Sequence, residues 1–103
     1  QQLDLHGTAI SDSGLADIHR LSQLRSIDLT DTLITDQACQ HLGALPELRR
    51  LKVWNTQVTD DGLRQLSKLT NLKELWLFGT HTTDVGRRQL RQALPEVVSD
   101  GPQ

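Results

Sequence analysis

The sequence contains little of several residue types on which particular functions depend. Its 103 residues include one cysteine, no methionine or tyrosine, and three aromatic side chains. A single cysteine excludes an internal disulfide framework and leaves the compartment undecided. The formal net charge of −2, from 11 basic and 13 acidic residues, lacks the basic excess of a nucleic-acid-binding domain. No apolar run approaches the ~20 residues of a membrane-spanning helix, and no signal-peptide core is visible, so membrane insertion is not expected.

An internal repeat of 24 residues dominates what the sequence does contain. Thr8, Thr32, Thr56 and Thr80 follow one another at that interval, and the leucines and aspartates around them keep the same period. Ahead of each threonine, apolar residues alternate with variable ones, which is the pattern of a strand with one buried face. The strand segments predicted in this way are residues 3–6, 27–30, 51–54 and 75–78. Strict self-similarity of this kind indicates stacked structural units.

A turn and a helix start follow each predicted strand. The turn positions hold Gly7, Asp31, Asn55 and Gly79. These residue types tolerate a positive φ, so the chain is expected to reverse direction there. The helix starts carry paired candidates for the N-cap, namely Ser11–Asp12, Thr35–Asp36, Thr59–Asp60 and Thr83–Asp84. The sequence does not decide which member of each pair is the cap.

A strand, a turn, a helix and a return segment within 24 residues resemble the leucine-rich repeat. The pattern L-x-x-L-x-L-x-x-T-x-I-T-D-x-G-L is similar to a bacterial variant of that family, and the resemblance covers nearly the whole chain. It implies an α/β fold, a right-handed leucine-rich-repeat solenoid with a parallel β-sheet on the concave face and short helices on the convex face. It also implies that the repeated threonine points inward and hydrogen-bonds the backbone of adjacent turns.

The two ends of the chain depart from the repeat in different ways. By register, the position equivalent to Leu24 would precede Gln1, so the first repeat is expected to be truncated, with an open strand edge that favours self-association. Thr82 and Arg87 replace aliphatic residues of the earlier repeats, as a capping repeat requires. We therefore expect a solenoid of about four repeats over residues 1–98 and a tail over residues 99–103, as a C-terminal fragment of a longer protein.

Nothing in the sequence indicates catalysis or metal binding. No G-x-S-x-G, H-E-x-x-H or phosphate-binding loop occurs, and the four histidines follow no metal-ligand spacing. Cys39 aligns with Leu15 and Leu63, which predicts a small buried side chain rather than a nucleophile. The chain is therefore expected not to be an enzyme and to use no cofactor or metal ion.

The exposed face of the predicted sheet carries the candidate functional residues. Parallel strands in register place equivalent residues about 4.8 Å apart. Three columns result: Gln2, Ser26, Arg50 and Glu74; Asp4, Asp28, Lys52 and Trp76; and His6, Thr30, Trp54 and Phe78. All three aromatic residues fall in these columns, and an exposed aromatic patch indicates a partner. The predicted partner-binding residues are Trp54, Trp76, Phe78, Arg50, Lys52, Glu74, Asp28, Thr30 and His6.

Three functions remain open for this face. The leading one is a non-catalytic protein–protein interaction module that binds a protein or peptide, which is the class that the family resemblance implies. The second is a glycan- or small-ligand-binding surface with the rings as stacking platforms, and the third is a purely structural segment of a larger protein.

The side chains of these columns also have simpler interpretations. Aromatic pairs across strands stabilise a sheet by up to ~1 kcal/mol without any partner. Arg50 with Glu74, and Asp28 with Lys52, are expected to form cross-strand ion pairs. Asp4 beside Asp28 would suit a cation or a basic partner.

Overall fold

The computed structural model describes residues 1–100, which contain a parallel sheet of five strands in chain order. The strands are β1 (Gln2–Asp4), β2 (Ser26–Asp28), β3 (Arg50–Lys52), β4 (Glu74–Trp76) and β5 (Val98–Ser99). Each residue of β1 to β3 pairs with its equivalent in the next strand, as a constant period requires. The α/β solenoid and the register of its columns are therefore confirmed.

The strands are shorter than predicted, and each begins one residue earlier. Trp54 and Phe78 lie two residues past the ends of β3 and β4 rather than inside these strands. The main-chain bonding nevertheless continues there, since Asp31 donates to the carbonyl of Trp54 at 3.0 Å and Asn55 donates to that of Phe78 at 3.0 Å. The third column is therefore an extension of the sheet.

The helices form the second layer of the molecule. The first repeat has two 3-10 turns, Asp12–Leu15 and Ile18–Arg20, and the others have α1 (Asp36–Leu42), α2 (Asp60–Leu66) and α3 (Asp84–Ala93). Helix α1 packs against α2, and α2 packs against α3. The threonine of each candidate pair is the N-cap of its α-helix, because its side chain accepts a main-chain N–H of the first turn. Ser11, at the same position in the first repeat, makes no such bond.

The aspartate of each candidate pair joins one repeat to the next instead. Asp36 accepts hydrogen bonds from the main-chain N–H of Thr59 at 2.6 Å and from its hydroxyl at 2.5 Å. The same two bonds recur in two further pairs, Asp12 with Thr35 and Asp60 with Thr83. Hydrogen bonds to a carboxylate are stronger than neutral ones, so these links fasten neighbouring repeats.

Gly62, the third residue of α2, lies so close to Asp36 that a side chain would not fit there. A Cβ on Gly62 would lie 2.6 Å from Oδ1 of Asp36 and 2.9 Å from Cγ1 of Val58. Ala38 keeps a methyl group at the equivalent position of α1, and its N–H donates to Oδ1 of Asp12 at 3.1 Å. The short distance between repeats therefore leaves no room for a side chain at Gly62, and the same holds at Gly86, where a Cβ would meet Asp60 of the preceding repeat.

The repeated threonine closes the turn of its own repeat. Its hydroxyl donates to the carbonyl oxygen three residues earlier, at 2.7–2.8 Å in all four repeats. The expected bond to adjacent turns is therefore wrong, because the reversal of the chain brings a carbonyl of the same turn within reach. The predicted positive φ is confirmed at all four turn residues, Gly7, Asp31, Asn55 and Gly79. Thr32 and Thr56 are buried, Thr80 is half-buried and Thr8 is exposed.

The core is built from leucine, isoleucine and valine side chains, with Ala38 and Cys39 among them. Cys39 is fully buried, and this burial raises the pKa of its thiol to about 12, with Asp36 and Asp12 adding to the rise. The thiol is therefore protonated at neutral pH, which confirms its interpretation as a small core residue. Leu3 and Ile10 of the first repeat are only partly buried.

The last repeat is one residue out of phase before β5. Leu94 and Val97 are buried one position later than the period requires. The strand itself is back in phase, with Val98 opposite Glu74. Because β5 includes Ser99, the sheet extends past the predicted solenoid boundary, and residues 101–103 of the predicted tail lie outside the described residues.

Arg87 replaces a core leucine at the C-terminal face of the solenoid. Its side chain is 14% exposed and donates to the hydroxyl of Thr82 at 3.0 Å and to the carboxylate of Asp84 at 2.7 Å. Thr82 in turn lies 2.9 Å from the hydroxyl of Thr80. A polar network thus stands where inner repeats have aliphatic contacts, and Asp84 binds within its own helix rather than to a following repeat.

Candidate functional site

The candidate site is the exposed face of the sheet, which we call the sheet face. The predicted residues fall into three groups there: His6, Arg50 and Phe78 are exposed, Asp28, Lys52, Trp54, Glu74 and Trp76 are half-buried, and Thr30 is buried. The expectation that Thr30 is available to a partner therefore has to be corrected. Its short side chain stands between the larger His6 and Trp54 of its column and is 6% exposed.

Lys52, Trp54 and Phe78 pack together on the sheet face, and we call them the aromatic cluster. The rings of Trp54 and Phe78 meet edge to face, with centroids 6.2 Å apart and planes inclined at 74°. Nζ of Lys52 lies 3.9 Å from the centroid of the Trp54 ring, within cation–π range. Trp76 pairs in register with Lys52 on the neighbouring strand. The register thus brings all three aromatic residues to one region.

The two tryptophans are less exposed than the sequence indicated. Trp54 lies against Lys52 and Phe78, and its indole N–H donates to Asp100 at 2.6 Å. Phe78 remains 69% exposed. The apolar surface open to a partner is therefore contributed mainly by Phe78, with the tryptophans supporting it.

Asp100 is a contact of the sheet face that the sequence did not reveal. Its carboxylate accepts the main-chain N–H of Leu77 at 2.6 Å, that of Phe78 at 3.2 Å and the indole N–H of Trp54 at 2.6 Å. We call these three N–H groups the carboxylate site. The contact joins the end of the described chain to the third and fourth repeats.

The repeat period was the signal that would have revealed Asp100. It stands 24 residues after Trp76, in the column of Asp4 and Asp28. Each of those two aspartates accepts the main-chain N–H two residues later, at 3.0 Å for Asp4 and 2.9 Å for Asp28. The side chain of Trp76 has no acceptor, so the N–H of Phe78 is left for Asp100.

The charged side chains of the sheet face are partly paired. Arg50 and Glu74 form the predicted ion pair, with Nη2 and Oε2 3.1 Å apart. The other predicted pair is corrected: within residues 1–100, Lys52 makes no ion pair with Asp28, because its ammonium group lies over the Trp54 ring. Both arrangements are worth little when exposed, so the ring contact competes well with an ion pair.

Asp28 is held in its ionised form by its neighbours. Burial works against ionisation, but hydrogen bonding from Thr30 and electrostatic attraction to the Lys52 and His6 side chains outweigh it, and the pKa of Asp28 is lowered. Oδ1 of Asp28 accepts the main-chain N–H of Thr30, and Oδ1 of Asp4 accepts that of His6. Each aspartate therefore stabilises the turn that follows it.

Residues 1–100 contain no group of three or more histidine, cysteine, aspartate or glutamate side chains placed to hold a metal ion. In the same part of the chain, no helix has the length and apolar character needed to cross a membrane.

The parallel strands pair in register, helical segments follow β1 to β4, and the leucine-rich core repeats every 24 residues. These features define a leucine-rich-repeat solenoid. A leucine-rich-repeat protein of Leptospira interrogans has a similar structure, with a TM-score of 0.74 and 24% sequence identity over 98% of this chain and 25% of its own. An internalin of Listeria monocytogenes matches with a TM-score of 0.65 and 22% identity over 100% of this chain and 35% of its own.

These comparisons show the leucine-rich-repeat fold, and at such identities they show the fold alone. This chain spans a quarter of the Leptospira protein, at 25%, and about a third of the internalin, at 35%. No protein-family model matches the chain, and a search of curated proteins found no match.

Proposed function

We propose that this chain is a non-catalytic protein-interaction module that binds a protein or peptide on its sheet face. The observation that carries the proposal is the aromatic cluster, in which Phe78 projects with 69% of its surface exposed while its ring packs on Trp54. The core of residues 1–100 contains no aromatic side chain, so core packing does not account for these residues. An exposed ring held in place by its neighbours loses little conformational freedom on binding. Anchors of this kind dominate protein interfaces.

The surroundings of the aromatic cluster support the same function. Arg50 and Glu74 form an ion pair beside it, and Lys52 adds a positive charge within the cluster itself. An apolar centre with a polar rim is the usual composition of a protein-binding patch. The sheet beneath is parallel and continuous from β1 to β5, so the patch stands on a rigid support.

The experiment is a selection of peptides from a random phage-displayed library on the immobilised full chain, followed by calorimetric titration of the enriched peptides. Phe78→Ala and Trp76→Ala should each weaken binding about thirtyfold, because truncating a hot-spot residue costs about 2 kcal/mol or more. Their midpoints of urea unfolding should change little, since neither side chain is part of the core.

Leu33→Ala and Val85→Ala are the matched controls, because both remove an exposed apolar side chain outside the predicted columns. Selected peptides that bind all four variants equally would contradict the proposal. Two other results would favour the alternatives. Binding on a glycan array that Phe78→Ala abolishes would indicate a carbohydrate surface, and a loss of stability with no binding change would indicate a structural role.

A further inference from the structure

We propose that the carboxylate site is a recognition site for an aspartate side chain of the partner, and that Asp100 occupies it in the unbound protein. This inference rests on the proposed function, because it names the chemistry of the segment that the sheet face binds. The donors are the main-chain N–H groups of Leu77 and Phe78 and the indole N–H of Trp54.

The carboxylate site has the properties of a built anion site. Three N–H groups converge on the two oxygens of one carboxylate, at 2.6, 3.2 and 2.6 Å. Hydrogen bonds to a charged acceptor of this kind are shorter and stronger than neutral ones. The donors are also fixed in position, since the Leu77 side chain is buried and the Trp54 ring packs against Phe78. Lys52, with its Nζ over the same ring, adds a positive charge beside them.

The main-chain N–H of Leu77 occupies the position at which the inner repeats bind the next strand. In the inner repeats, the N–H groups equivalent to that of Leu77 belong to Leu29 and Val53, and they donate to main-chain carbonyls of the next strand at 2.8 and 3.0 Å. At the edge of the sheet, the carboxylate of Asp100 takes the place of such a carbonyl. An extended partner segment lying along β4 would meet these groups as an added strand does.

Beyond Val97, whose side chain is buried, the segment that carries Asp100 is short. Strand β5 has two residues, and its register pairs cover Glu74 and Leu75 but not Trp76. The side chain of Val98 is exposed and contributes little buried apolar area. Residues 98–100 are therefore held by main-chain bonds and by the Asp100 carboxylate rather than by buried apolar side chains, and a competing segment that makes the same bonds can replace them.

The segment of this chain that fills the carboxylate site indicates what a partner segment would look like. Val98, Ser99 and Asp100 form an extended segment in which a carboxylate follows an apolar residue by two positions. We therefore commit to a partner segment that is extended and carries an aspartate in this arrangement. A ligand that fills the site in this way has to displace Asp100, which lowers its apparent affinity for the unmodified chain.

The experiment follows the Trp54 indole N–H of the full-length chain by heteronuclear NMR. Asp100→Ala removes the resident carboxylate, and Glu96→Gln is the matched control, because Glu96 is an exposed acid of the same segment. The indole proton should move upfield in Asp100→Ala and stay in place in Glu96→Gln. Two probes are then titrated, the amidated and acetylated tripeptides Val-Ser-Asp and Val-Ser-Asn. Val-Ser-Asp should return the signal of Asp100→Ala to its original position, and the same concentration should change the signal of the unmodified chain little, because Asp100 already occupies the site there.

Val-Ser-Asn should not restore the signal. Equal responses to the two tripeptides would overturn the inference. An indole proton shift that is the same in Asp100→Ala as in the unmodified chain would also overturn it. Asp100→Asn, which preserves size, repeats the measurement if the alanine variant is unstable. A clear response to Val-Ser-Asp with no peptides selected by phage display would contradict the proposed function alone. Selected peptides that lack an acid and bind the unmodified chain and Asp100→Ala equally would contradict the carboxylate site alone.

Discussion

The repeated threonine allows the effect of burial on one hydrogen bond to be measured within a single molecule. Thr56 and Thr8 donate the same bond, to the carbonyls of Val53 and Leu5, at 2.8 Å in both cases. Thr56 is 3% exposed, whereas Thr8 is open to solvent. A change to valine keeps the shape of the side chain and removes its hydroxyl. The two variants therefore differ mainly in whether water can reach the carbonyl that has lost its donor.

The expected magnitudes follow from this difference. A buried polar group without a partner costs about 1–3 kcal/mol, so Thr56→Val should lower the free energy of unfolding by that amount. Water replaces the lost donor at the other site, and Thr8→Val should change the free energy by at most about 0.5 kcal/mol. In a domain of this size, about 1 kcal/mol corresponds to about 4–8 °C in Tm.

The assay is urea unfolding followed by far-ultraviolet circular dichroism and by tryptophan fluorescence. Coincident transitions and an unchanged dependence on urea would show that both variants unfold as one unit. Thr32→Val, at the other buried member of the four repeated threonines, should behave like Thr56→Val. Equal midpoints for Thr56→Val and Thr8→Val would refute the reasoning, because burial would then add nothing to this bond.

Three further predictions concern the links between repeats, the buried thiol and the open edge. Asp36→Ala should lower the free energy of unfolding by about 2 kcal/mol or more, because Thr59 loses two hydrogen bonds to a charged acceptor. Asp17→Ala is the control, because Asp17 is exposed. A urea midpoint of Asp36→Ala no lower than that of Asp17→Ala would contradict this prediction. Cys39 should react with a thiol reagent only after unfolding, and reaction at the unfolded rate under native conditions would show that it is accessible. Stability should fall as pH rises from 9.0 towards about 12, since the unfolded thiol loses its proton first, and Cys39→Ala should remove this dependence. The open edge of β1 should produce self-association at high concentration in sedimentation velocity, weakened by Leu21→Lys at the same end; a strict monomer would count against it.

The fold could be predicted from the sequence because a constant period determines the register of every strand. Once Gln2, Ser26 and Arg50 are known to be equivalent, their pairing in a parallel sheet requires no knowledge of side-chain contacts. Hydrogen-bond partners could not be predicted in the same way. From the sequence, Asp36 could either cap its own helix or accept a hydrogen bond from the next repeat. The distance between repeats determines which of these bonds forms. That distance depends on packing, which the period does not contain.

The candidate site was predictable in position but not in exposure. The columns placed Trp54 and Phe78 side by side, and the structure confirms that their rings meet. Whether Lys52 lies over a ring or pairs with Asp28 depends on interactions of similar, small free energy, so the sequence cannot rank them. Its contact with the Trp54 ring is one reason why that tryptophan is half-buried.

The bonds from aspartate to threonine give this solenoid a direction, and that direction restricts how its length can change. Each carboxylate reaches forward to the next repeat, always by 23 residues. Duplication of residues 35–58 would therefore reproduce every link, since the new repeat would both receive a carboxylate and present one. An insertion of another length within a repeat would keep the link and the columns of the sheet only if the extra residues looped out. Growth by whole repeats needs no such adjustment, and a duplicated chain should unfold at a urea concentration no lower than its parent.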